Sequence, residues 1–467
     1  MKVALLFPNT NINRTIKIPF HPPYGLAILA AVVERAGYDV SVIDAVALNL
    51  NNKDLMTNLK EINPDVIGIT TNILLAIRSL ELCRLIQRQM PNVKLVLGGP
   101  WASAVYEMLL RKKYCDFVIV GEGEQSFIEL MKALENGELP EKSPGITYLD
   151  LATNSIKLEP PCPTEDLDAL PFPAWHLFPS PKKYLTHRRG KIFYPIMTSR
   201  GCPYQCNHCT KIIHGIKVRF RSVENVIAEI RYLKERFSID EITIIDDNFT
   251  VNKKRAEKII DEIIKNKFNL HIQFSNGLRA DTLTPKFVRK LKWAGTYKIA
   301  IGVESGNQDV VNKIGKKLDL NAVRRAAQII KREKIVFVAF FMIGHPWDTI
   351  KTMNDTINFA LEIDPDIPLF FKAIGFPGTK LYSQIKRDGK FLMSLRDIDQ
   401  GYNLSTANFE IFDLRAKDVE KMFKQAYRRF YLRPRKMLSL LTKIRNFSEV
   451  KAISSHVFFD LVRIMFF

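Results

Sequence analysis

Two stretches of alternating apolar strands and amphipathic helices constrain the fold of this 467-residue chain more than any other feature. The first stretch occupies residues 1–150. Its helical patterns include Gly25–Arg35, and its predicted strands are Val3–Phe7, Val40–Ile43, Val66–Thr70, Lys94–Leu97 and Phe117–Val120. Apolar runs of this length between helices favour a parallel sheet that is covered on both faces. The pattern therefore predicts a doubly wound α/β domain with ligands at the carboxyl ends of its strands.

A second alternation begins at Phe193, after a proline-rich segment. The prolines between residues 160 and 181 exclude helix and stiffen the chain, so residues 151–190 are predicted to form a linker. The six strands predicted in the second domain, residues 191–382, are Tyr194–Thr198, Glu241–Ile245, Ile272–Ser275, Lys298–Val303, Val336–Ile343 and Leu369–Ile374. Six strand–helix units are too few to close an eight-stranded barrel. Residues 383–467 are predicted to form a basic, helical C-terminal extension.

Three cysteines lie close together directly after the first strand of the second stretch. Cys202, Cys206 and Cys209 are separated by three residues and then by two, and no fourth cysteine follows nearby. A [4Fe-4S] cluster is normally held by four thiolates, so three thiolates leave one iron open to a substrate or cofactor. Zinc is the alternative. Zinc sites usually pair two close cysteines with two distant ligands, however, and His208 is poorly placed to complete a tetrahedron.

The cysteine run resembles the cluster-binding motif of the radical S-adenosylmethionine (SAM) superfamily. The runs Gly302–Gly306 and Gly344–Pro346, which end the fourth and fifth strands, recur in that superfamily. The resemblance covers roughly residues 193–382 and implies a partial barrel of six βα units, open on one side. It also implies a [4Fe-4S] cluster whose open iron binds SAM and cleaves it to a 5′-deoxyadenosyl radical.

The candidates for SAM binding are polar and glycine residues at the carboxyl ends of the predicted barrel strands. Glu304 can accept hydrogen bonds from the SAM ammonium or ribose, with pairing to a neighbouring lysine as the alternative. Arg279 suits the SAM carboxylate because its fork matches a carboxylate, and Asn276 suits the ribose. By its position in the resemblance, His208 is a candidate neighbour of the adenine. The other predicted SAM-binding residues are Asp247, Gly344 and Pro346.

Small and polar residues also follow three strands of the first domain, where they let the backbone approach a large flat ligand. This region resembles the Rossmann-like cobalamin-binding domain that precedes the radical SAM domain in one large subfamily. The resemblance implies cobalamin contacts from Thr70, Thr71, Gly98, Gly99, Gly121 and Glu122. The loop that supplies a histidine to cobalt in many cobalamin proteins is absent after the first strand, so no such histidine is expected. A domain without cofactor is the alternative.

Together the resemblances imply a cobalamin-dependent radical SAM enzyme, in the first instance a C-methyltransferase that acts on an unactivated carbon. A cobalamin-linked cyclase or oxidase is one alternative. Another is a tRNA-modifying methylthiotransferase, although that family has three cysteines in its first domain and this chain offers only Cys83 and Cys115 there. The last alternative is a non-enzymatic, metal-stabilised module that binds nucleic acid.

The formal net charge of the chain is +20, and basic residues are concentrated near the C-terminus. Such a tail can attract nucleic acid or an anionic membrane, or it can be a solvated helix face. The apolar segment Val457–Phe467 predicts either docking on the other domains or a peripheral membrane contact, which would suit a lipid-like substrate. The expected partners are a small-molecule substrate and an electron donor such as flavodoxin or ferredoxin, whereas nucleic acid is disfavoured.

Cysteine usage and hydropathy bear on the cellular compartment. The six cysteines suggest no disulfide framework, which favours a reducing compartment. The sequence contains no uncharged apolar run of about 18 residues, so it predicts no membrane span. The protein is therefore predicted to be cytoplasmic, with membrane contact only at its periphery.

Overall fold

The structure is a computed structural model that describes residues 1–9, 21–184, 189–392, 406–434 and 436. The first part of the chain forms a seven-stranded sheet. Its strands are β1 (Lys2–Phe7), β2 (Asp39–Asp44), β3 (Val66–Thr70), β4 (Lys94–Gly98), β5 (Phe117–Ile119), β6 (Ile146–Asp150) and β7 (Ser155–Leu158). They are ordered β2-β1-β3-β4-β5-β6-β7. The first five strands are parallel, and β6 and β7 add an antiparallel hairpin that carries the sheet to Leu158.

Helices cover both faces of this sheet. They are α1 (Tyr24–Arg35), α2 (Asn52–Ile62), α3 (Ala76–Gln89), α4 (Pro100–Arg111) and α5 (Glu124–Glu135). Alternate residues of β1 enter different cores: Leu5 packs with residues of α1 and α5, and Leu6 packs with residues of α2, α3 and α4. The doubly wound prediction is therefore confirmed. The strand order reverses between β1 and β3, which is the place where open α/β sheets bind ligands.

The second sheet has six parallel strands and is open. The strands of this part of the chain are β8 (Phe193–Ile196), β9 (Ser199–Arg200), β10 (Arg219–Phe220), β11 (Glu241–Ile244), β12 (His271–Leu278), β13 (Thr296–Glu304), β14 (Val336–Ile343) and β15 (Ile367–Lys372). The sheet order is β15-β14-β13-β12-β11-β8, and β9 and β10 form a separate pair. The edge strands β8 and β15 are not hydrogen-bonded to each other, so the predicted partial barrel is confirmed.

Helices pack against the outer face of the second sheet. They are α6 (Val223–Phe237), α7 (Lys253–Lys265), α8 (Pro285–Trp293), α9 (Gln308–Lys313), α10 (Leu320–Arg332) and α11 (Ile350–Ile363). Alternate residues of β13, namely Ile299, Ile301 and Val303, point into this layer and are fully buried. The other set of side chains on each strand faces the concave inner side, because strand side chains alternate.

The proline-rich segment is a packed connection. It forms three short 3-10 turns, and Trp175 in the middle one is almost fully buried. Its ring stacks on Tyr194 of β8 at 4.8 Å between centroids and contacts Tyr24 of α1 at 6.2 Å. One hydrophobic core consequently includes side chains from both halves of the chain.

The described C-terminal part contains α12 (Lys380–Asp388), β16 (Gly389–Phe391), β17 (Phe409–Ile411) and α13 (Ala416–Tyr431). Helix α13 packs against α11 and β15. The segment Val457–Phe467, for which a membrane contact was predicted, lies outside the described residues. Among the helices that the structure describes, none is long and apolar enough to cross a membrane.

Candidate active site

The three cysteines lie on one loop, residues 201–210, which follows β9. Gly201 begins the loop with φ +91°, and a Cβ there would clash with the Lys217 carbonyl oxygen. Three neighbouring segments then fix the loop. The Asn207 amide donates to the Ile314 carbonyl at 2.9 Å, the Leu381 amide donates to the Asn207 carbonyl at 2.8 Å, and the guanidinium of Arg279 lies 3.6 Å from the centre of the Tyr204 ring. We call residues 201–210 the cysteine loop.

Two consecutive aspartates after β11 brace the start of this loop. Asp246 is buried and accepts hydrogen bonds from the Thr198 amide, the Thr198 hydroxyl and the Ser199 hydroxyl at 2.5–2.6 Å. Burial raises the pKa of Asp246 above its usual value. Asp247 accepts a hydrogen bond from the Gly201 amide at 3.1 Å. The contacts of Asp247 therefore support the cysteine loop, and SAM binding by this residue remains a prediction.

Two of the three thiols are in direct contact. A hydrogen bond from Cys209 lowers the pKa of Cys206 to about 6, and nearby Lys316 contributes in the same direction. Cys202 is buried on the same loop. Within the described parts of the chain, no three histidine, cysteine or acidic side chains are close enough to hold one metal ion. Three thiols on a loop that begins at a glycine nonetheless suit a cluster, because the thiolates of a cluster bind different irons.

Glu304 ends β13 in a strained conformation. Its φ of +69° is in the left-handed region, which typically costs about 1–3 kcal/mol for a non-glycine residue and is concentrated at functional sites. The carboxylate is buried and pairs with the Lys316 ammonium at 2.8 Å. Burial alone would raise the pKa of Glu304, but Lys316 and His208 lower it. The lysine alternative raised for Glu304 is thus realised, and the pair lies beside the cysteine loop.

Two histidines beside this pair have unpartnered ring nitrogens. The His208 and His345 rings are 5.8 Å apart, and His345 is fully buried in the turn that follows β14. Both nitrogens of His345 and Nδ1 of His208 are buried and have no hydrogen-bond partner among the residues that the structure describes. Burial lowers the pKa of His345 to about 4, so its ring is neutral near pH 7 and presents one donor and one acceptor. Unpaired buried groups of this kind favour a polar ligand at the site.

Other predicted SAM-binding residues have protein partners. Arg279 donates to both carboxylate oxygens of Asp281, at 2.8 and 3.1 Å, and to the Lys316 and Lys317 carbonyls. Because the guanidinium of Arg279 already has these partners, we expect it to support the cysteine loop through its contact with the Tyr204 ring. Asn276 is exposed and donates to the Ile245 carbonyl at 2.6 Å.

Gly344 and Pro346 flank His345 and shape its turn. Gly344 has φ +93°, and a Cβ there would lie 2.8 Å from Val419 of α13. The Gly344 and His345 amides both donate to Asp348, at 3.0 and 2.9 Å. Pro346 is buried. Both predicted residues therefore lie beside the histidine pair, and their contact with SAM remains a prediction.

The residues predicted to contact cobalamin fall into two groups, those after β3 and β4 and those after β5. Thr71 is buried, donates to the Gly98 carbonyl at 2.8 Å and accepts from the Ala102 amide at 3.0 Å, while Thr70 is half-buried. At Gly98 a Cβ would meet, among the described residues, only the Ile119 carbonyl oxygen at 4.0 Å, so this position leaves room for a ligand. Gly99 has φ +92°, and its close approach to Thr71 leaves no room for a side chain. These residues fit a cradle at the carboxyl ends of β3 and β4.

The predicted cobalamin residues after β5, Gly121 and Glu122, contact other segments of the chain. A Cβ at Gly121 would lie 2.9 Å from Pro161. Glu122 accepts hydrogen bonds from Arg219 at 2.6 and 2.8 Å and contacts His214 at 2.8 Å and Arg200 at 3.1 Å.

Glu124 belongs to the same group of charged side chains, because it pairs with Arg200 at 2.6 Å. We call Glu122, Glu124, Arg200, His214 and Arg219 the clasp. Burial would raise the pKa of Glu122, but Arg219 and His214 hold it well below its usual value. Arg200 lies two residues before Cys202, so the clasp joins the first domain to the cysteine loop.

Sequence patterns missed the two most informative partners in this region. Lys316 follows Gly315 in the loop between α9 and α10, and no motif singles it out. Arg200 directly precedes the cysteine loop, and no motif singles it out either. Its buried pairing with two glutamates of the first domain is a contact across 76 or more residues, which local spacing does not reveal.

Two family models match the chain. Residues 18–131 match the B12 binding domain, and residues 196–360 match the radical SAM superfamily. An uncharacterized methyltransferase from Pyrococcus horikoshii is 31% identical over 459 residues, 97% of this chain and 97% of that protein. The anaerobic magnesium-protoporphyrin IX monomethyl ester cyclase of Rubrivivax gelatinosus is 25% identical over 397 residues, 82% of this chain and 70% of that protein.

A solved structure is also similar to this chain. The cobalamin-dependent S-adenosylmethionine radical enzyme OxsB, in a structure with aqua-cobalamin and S-adenosylmethionine bound, has a TM-score of 0.76 at 18% sequence identity. The match covers 100% of this chain and 72% of that chain. At this identity the likeness is one of fold, and it extends over both sheets.

Proposed function

Since this chain belongs to the radical SAM enzymes that carry a B12-binding domain, we propose that it transfers a methyl group to an unactivated carbon of a small molecule. The near full-length similarity to a methyltransferase from Pyrococcus horikoshii is the observation that carries this proposal. When bound, a [4Fe-4S] cluster, SAM and cobalamin supply hydrogen abstraction and a methyl group, with electrons from a reduced donor such as flavodoxin or ferredoxin.

The residues of the cysteine loop fit the cluster. Cys202, Cys206 and Cys209 would hold three irons as thiolates. The hydrogen bond between Cys209 and Cys206 lowers the pKa of Cys206 and raises that of Cys209, whereas the positive charges of Lys316 and Lys211 favour the thiolates that iron needs. Asp246 and Asp247 hold the start of the loop, directly before Cys202.

The polar groups beside the loop fit SAM. The Lys316 ammonium can bind the SAM carboxylate, and Glu304 can accept from the SAM ammonium or ribose. His345 supplies a neutral donor and acceptor from a fully buried position, which suits the adenine or ribose and helps to exclude water. The unpartnered nitrogens of His345 and His208 support this assignment.

The first domain fits cobalamin at the open position of Gly98 and at the neighbouring Thr70. The clasp supports adjacent cofactor sites, because it ties the end of β5 to the residue two positions before Cys202. Methyl transfer between two bound cofactors and a substrate depends on such fixed positioning. Glu122 is therefore proposed to position the domains, although the sequence suggested that it binds cobalamin.

Ring closure is the second candidate, because the Rubrivivax gelatinosus relative is a cyclase. The methylthiotransferase alternative is disfavoured by the two cysteines of the first domain. Cys83 is fully buried in a hydrophobic core, where burial raises its pKa to about 12. Cys115 is buried in the same core with a raised pKa. Both are therefore thiols in apolar surroundings, which do not suit iron ligation.

The remaining partner assignments are also proposals. A lipid-like substrate and a peripheral membrane contact rest on the apolar segment Val457–Phe467, and a cytoplasmic location rests on cysteine usage. The basic net charge suits an acidic electron-donor protein.

Anaerobic reconstitution tests the proposed function. We expect protein loaded with iron, sulfide and cobalamin to form 5′-deoxyadenosine from SAM under a low-potential reductant, and to carry a labelled methyl group from SAM to cobalamin. The Cys206→Ala variant should lose 5′-deoxyadenosine formation, whereas Cys162→Ala, at an exposed cysteine outside the cysteine loop, should retain it. Absence of 5′-deoxyadenosine from iron-loaded wild type would overturn radical chemistry. Absence of label on cobalamin would leave only the radical step.

A further inference from the structure

The inner face of the second sheet carries a cluster of large apolar side chains on β14 and β15. Register pairs Phe340 with Leu369 and Met342 with Phe371. The rings of Phe340 and Phe371 form an edge-to-face contact with centroids 6.1 Å apart. Phe371 is 49% exposed, and the other three residues are half-buried. We call these four residues the apolar wall.

The alternate residues on the same two strands pack quite differently. Phe341 and Phe370 are buried and stack at 5.2 Å, and Phe370 contacts Tyr427 of α13 at 5.4 Å. Helix α13 thus lies on the outer face of the sheet. The residues of the apolar wall belong to the opposite, concave face, since successive strand residues point to opposite sides.

The apolar wall adjoins the Glu304–Lys316 pair. Gly302 of β13 is the register partner of Phe340, so both residues point to the same face. A Cβ at Gly302 would lie 2.7 Å from Glu304 Oε1 and 2.9 Å from Lys316 Nζ. The ion pair therefore lies over the inner face at β13, the strand next to the one that carries Phe340. Neighbouring strands are about 4.8 Å apart.

The inner face is polar on its other side. Glu241 of β11 and Gln273 of β12 are hydrogen-bonded to each other at 2.9 Å, and Thr243 and Ser275 are hydrogen-bonded at 2.9 Å. These groups satisfy one another within the protein. Among the described residues of this face, the side chains named on β11 and β12 are polar, whereas those of the apolar wall on β14 and β15 are apolar and partly exposed.

We propose that the apolar wall binds an apolar, multi-ring body of the substrate and directs its target carbon toward the Glu304–Lys316 pair. Ile367, which is also exposed, lies on the same face of β15, and the distance from Ile367 to Phe371 along the strand is about 13 Å. Apolar surface of this length suits several fused rings better than one. Because SAM is proposed to bind at the ion pair, this assignment rests on the proposed function. A saturated polycycle and a conjugated macrocycle share the required chemistry.

Binding of two probes to anaerobically reconstituted holoenzyme tests the proposal. Cholesterol sulfate represents saturated polycycles and is followed by equilibrium dialysis. Zinc protoporphyrin represents conjugated macrocycles and is followed by fluorescence anisotropy. The test variant is Phe371→Ser, which should fold normally because the ring is already half exposed. The matched control is Trp293→Ser. Trp293 is 68% exposed at the end of α8, which leads into the amino end of β13 at the opposite rim.

We expect wild type to bind at least one probe, Phe371→Ser to bind that probe at least about tenfold more weakly, and Trp293→Ser to bind it like wild type. The probe that binds identifies the type of ring system. Failure of both probes to bind wild type, or equal binding by Phe371→Ser, overturns the proposal. Formation of 5′-deoxyadenosine without substrate is measured on the same samples. If it persists while probe binding fails, the apolar wall assignment is wrong and the proposed function stands.

Discussion

Replacing Glu122 with glutamine removes the charge at the centre of the clasp. The carboxylate contacts Arg219, Arg200 and His214 at 2.6–3.1 Å, and the clasp side chains of Glu122, Arg200 and Arg219 are at most 6% exposed. Removing one partner of a buried ion pair typically costs about 3–5 kcal/mol, because the other charge remains buried and unpaired. Arg200 keeps Glu124 at 2.6 Å, so we expect the free energy of unfolding to fall by about 3 kcal/mol, at the lower end of that range.

Urea unfolding at about pH 7, followed by tryptophan fluorescence and circular dichroism, measures this loss. The matched control is Glu362→Gln, which breaks a two-pronged contact with Arg324 at 2.5 and 2.9 Å. Because both of its side chains are at least 39% exposed, the control should lose less than about 1 kcal/mol. Equal losses from the two variants would refute the reasoning that burial makes the clasp strong.

The difference in the free energy of unfolding between wild type and Glu122→Gln should also depend on pH, which provides a second check. Arg219 and His214 hold the pKa of Glu122 below its usual value of 4.5, against the effect of burial. A carboxylate with a lowered pKa stabilises the folded state fully above its unfolded pKa, and this contribution is lost as the pH falls through the folded pKa. The stability difference between wild type and Glu122→Gln should therefore be steady near pH 7 and shrink below about pH 4.5. A difference that grows on acidification contradicts a charged Glu122.

Three further substitutions, one of them with a matched control, test other parts of the account. His345→Phe removes two unpartnered buried nitrogens, so it should leave thermal stability unchanged or higher while it weakens SAM binding by at least about tenfold in calorimetry; unchanged binding would contradict a SAM contact. Lys316→Met should weaken SAM binding to a similar extent, about tenfold, and unchanged affinity would remove this residue from the site. Gly99→Ala places a Cβ 2.5 Å from the Thr71 carbonyl oxygen at positive φ and should lower stability by about 1–3 kcal/mol. Gly25→Ala, where nothing lies within 4 Å, should raise stability by up to about 1 kcal/mol, and equal effects at the two glycines would contradict the cradle geometry.

The sheets could be predicted from the sequence because their strands are buried on both faces or packed under helices. Such strands appear as continuous apolar runs, as in Val336–Ile343, and β14 has these same bounds. The family could be predicted because cluster ligation demands a fixed cysteine spacing within one loop. Matches to the B12 binding domain and the radical SAM superfamily confirm it.

Contacts between distant segments could not be predicted in this way. Glu122 and Arg219 are 97 residues apart, and nothing in the local sequence distinguishes a glutamate that binds a cofactor from one that binds an arginine. Arg279 was predicted to bind the SAM carboxylate, and in the structure its guanidinium donates to Asp281, two residues away. The proline-rich segment was predicted as a linker, whereas aromatic packing of Trp175 on Tyr194 makes it part of the core.

Electron paramagnetic resonance of the anaerobically reduced protein, recorded with and without SAM, tests the central claim most directly. Three cysteine thiolates leave one iron of a [4Fe-4S] cluster open to SAM. The account predicts a reduced-cluster signal in wild type whose g-values shift when SAM is added, and no such signal in Cys206→Ala. A cluster signal that SAM leaves unchanged, or protein that binds zinc in place of iron, would contradict it.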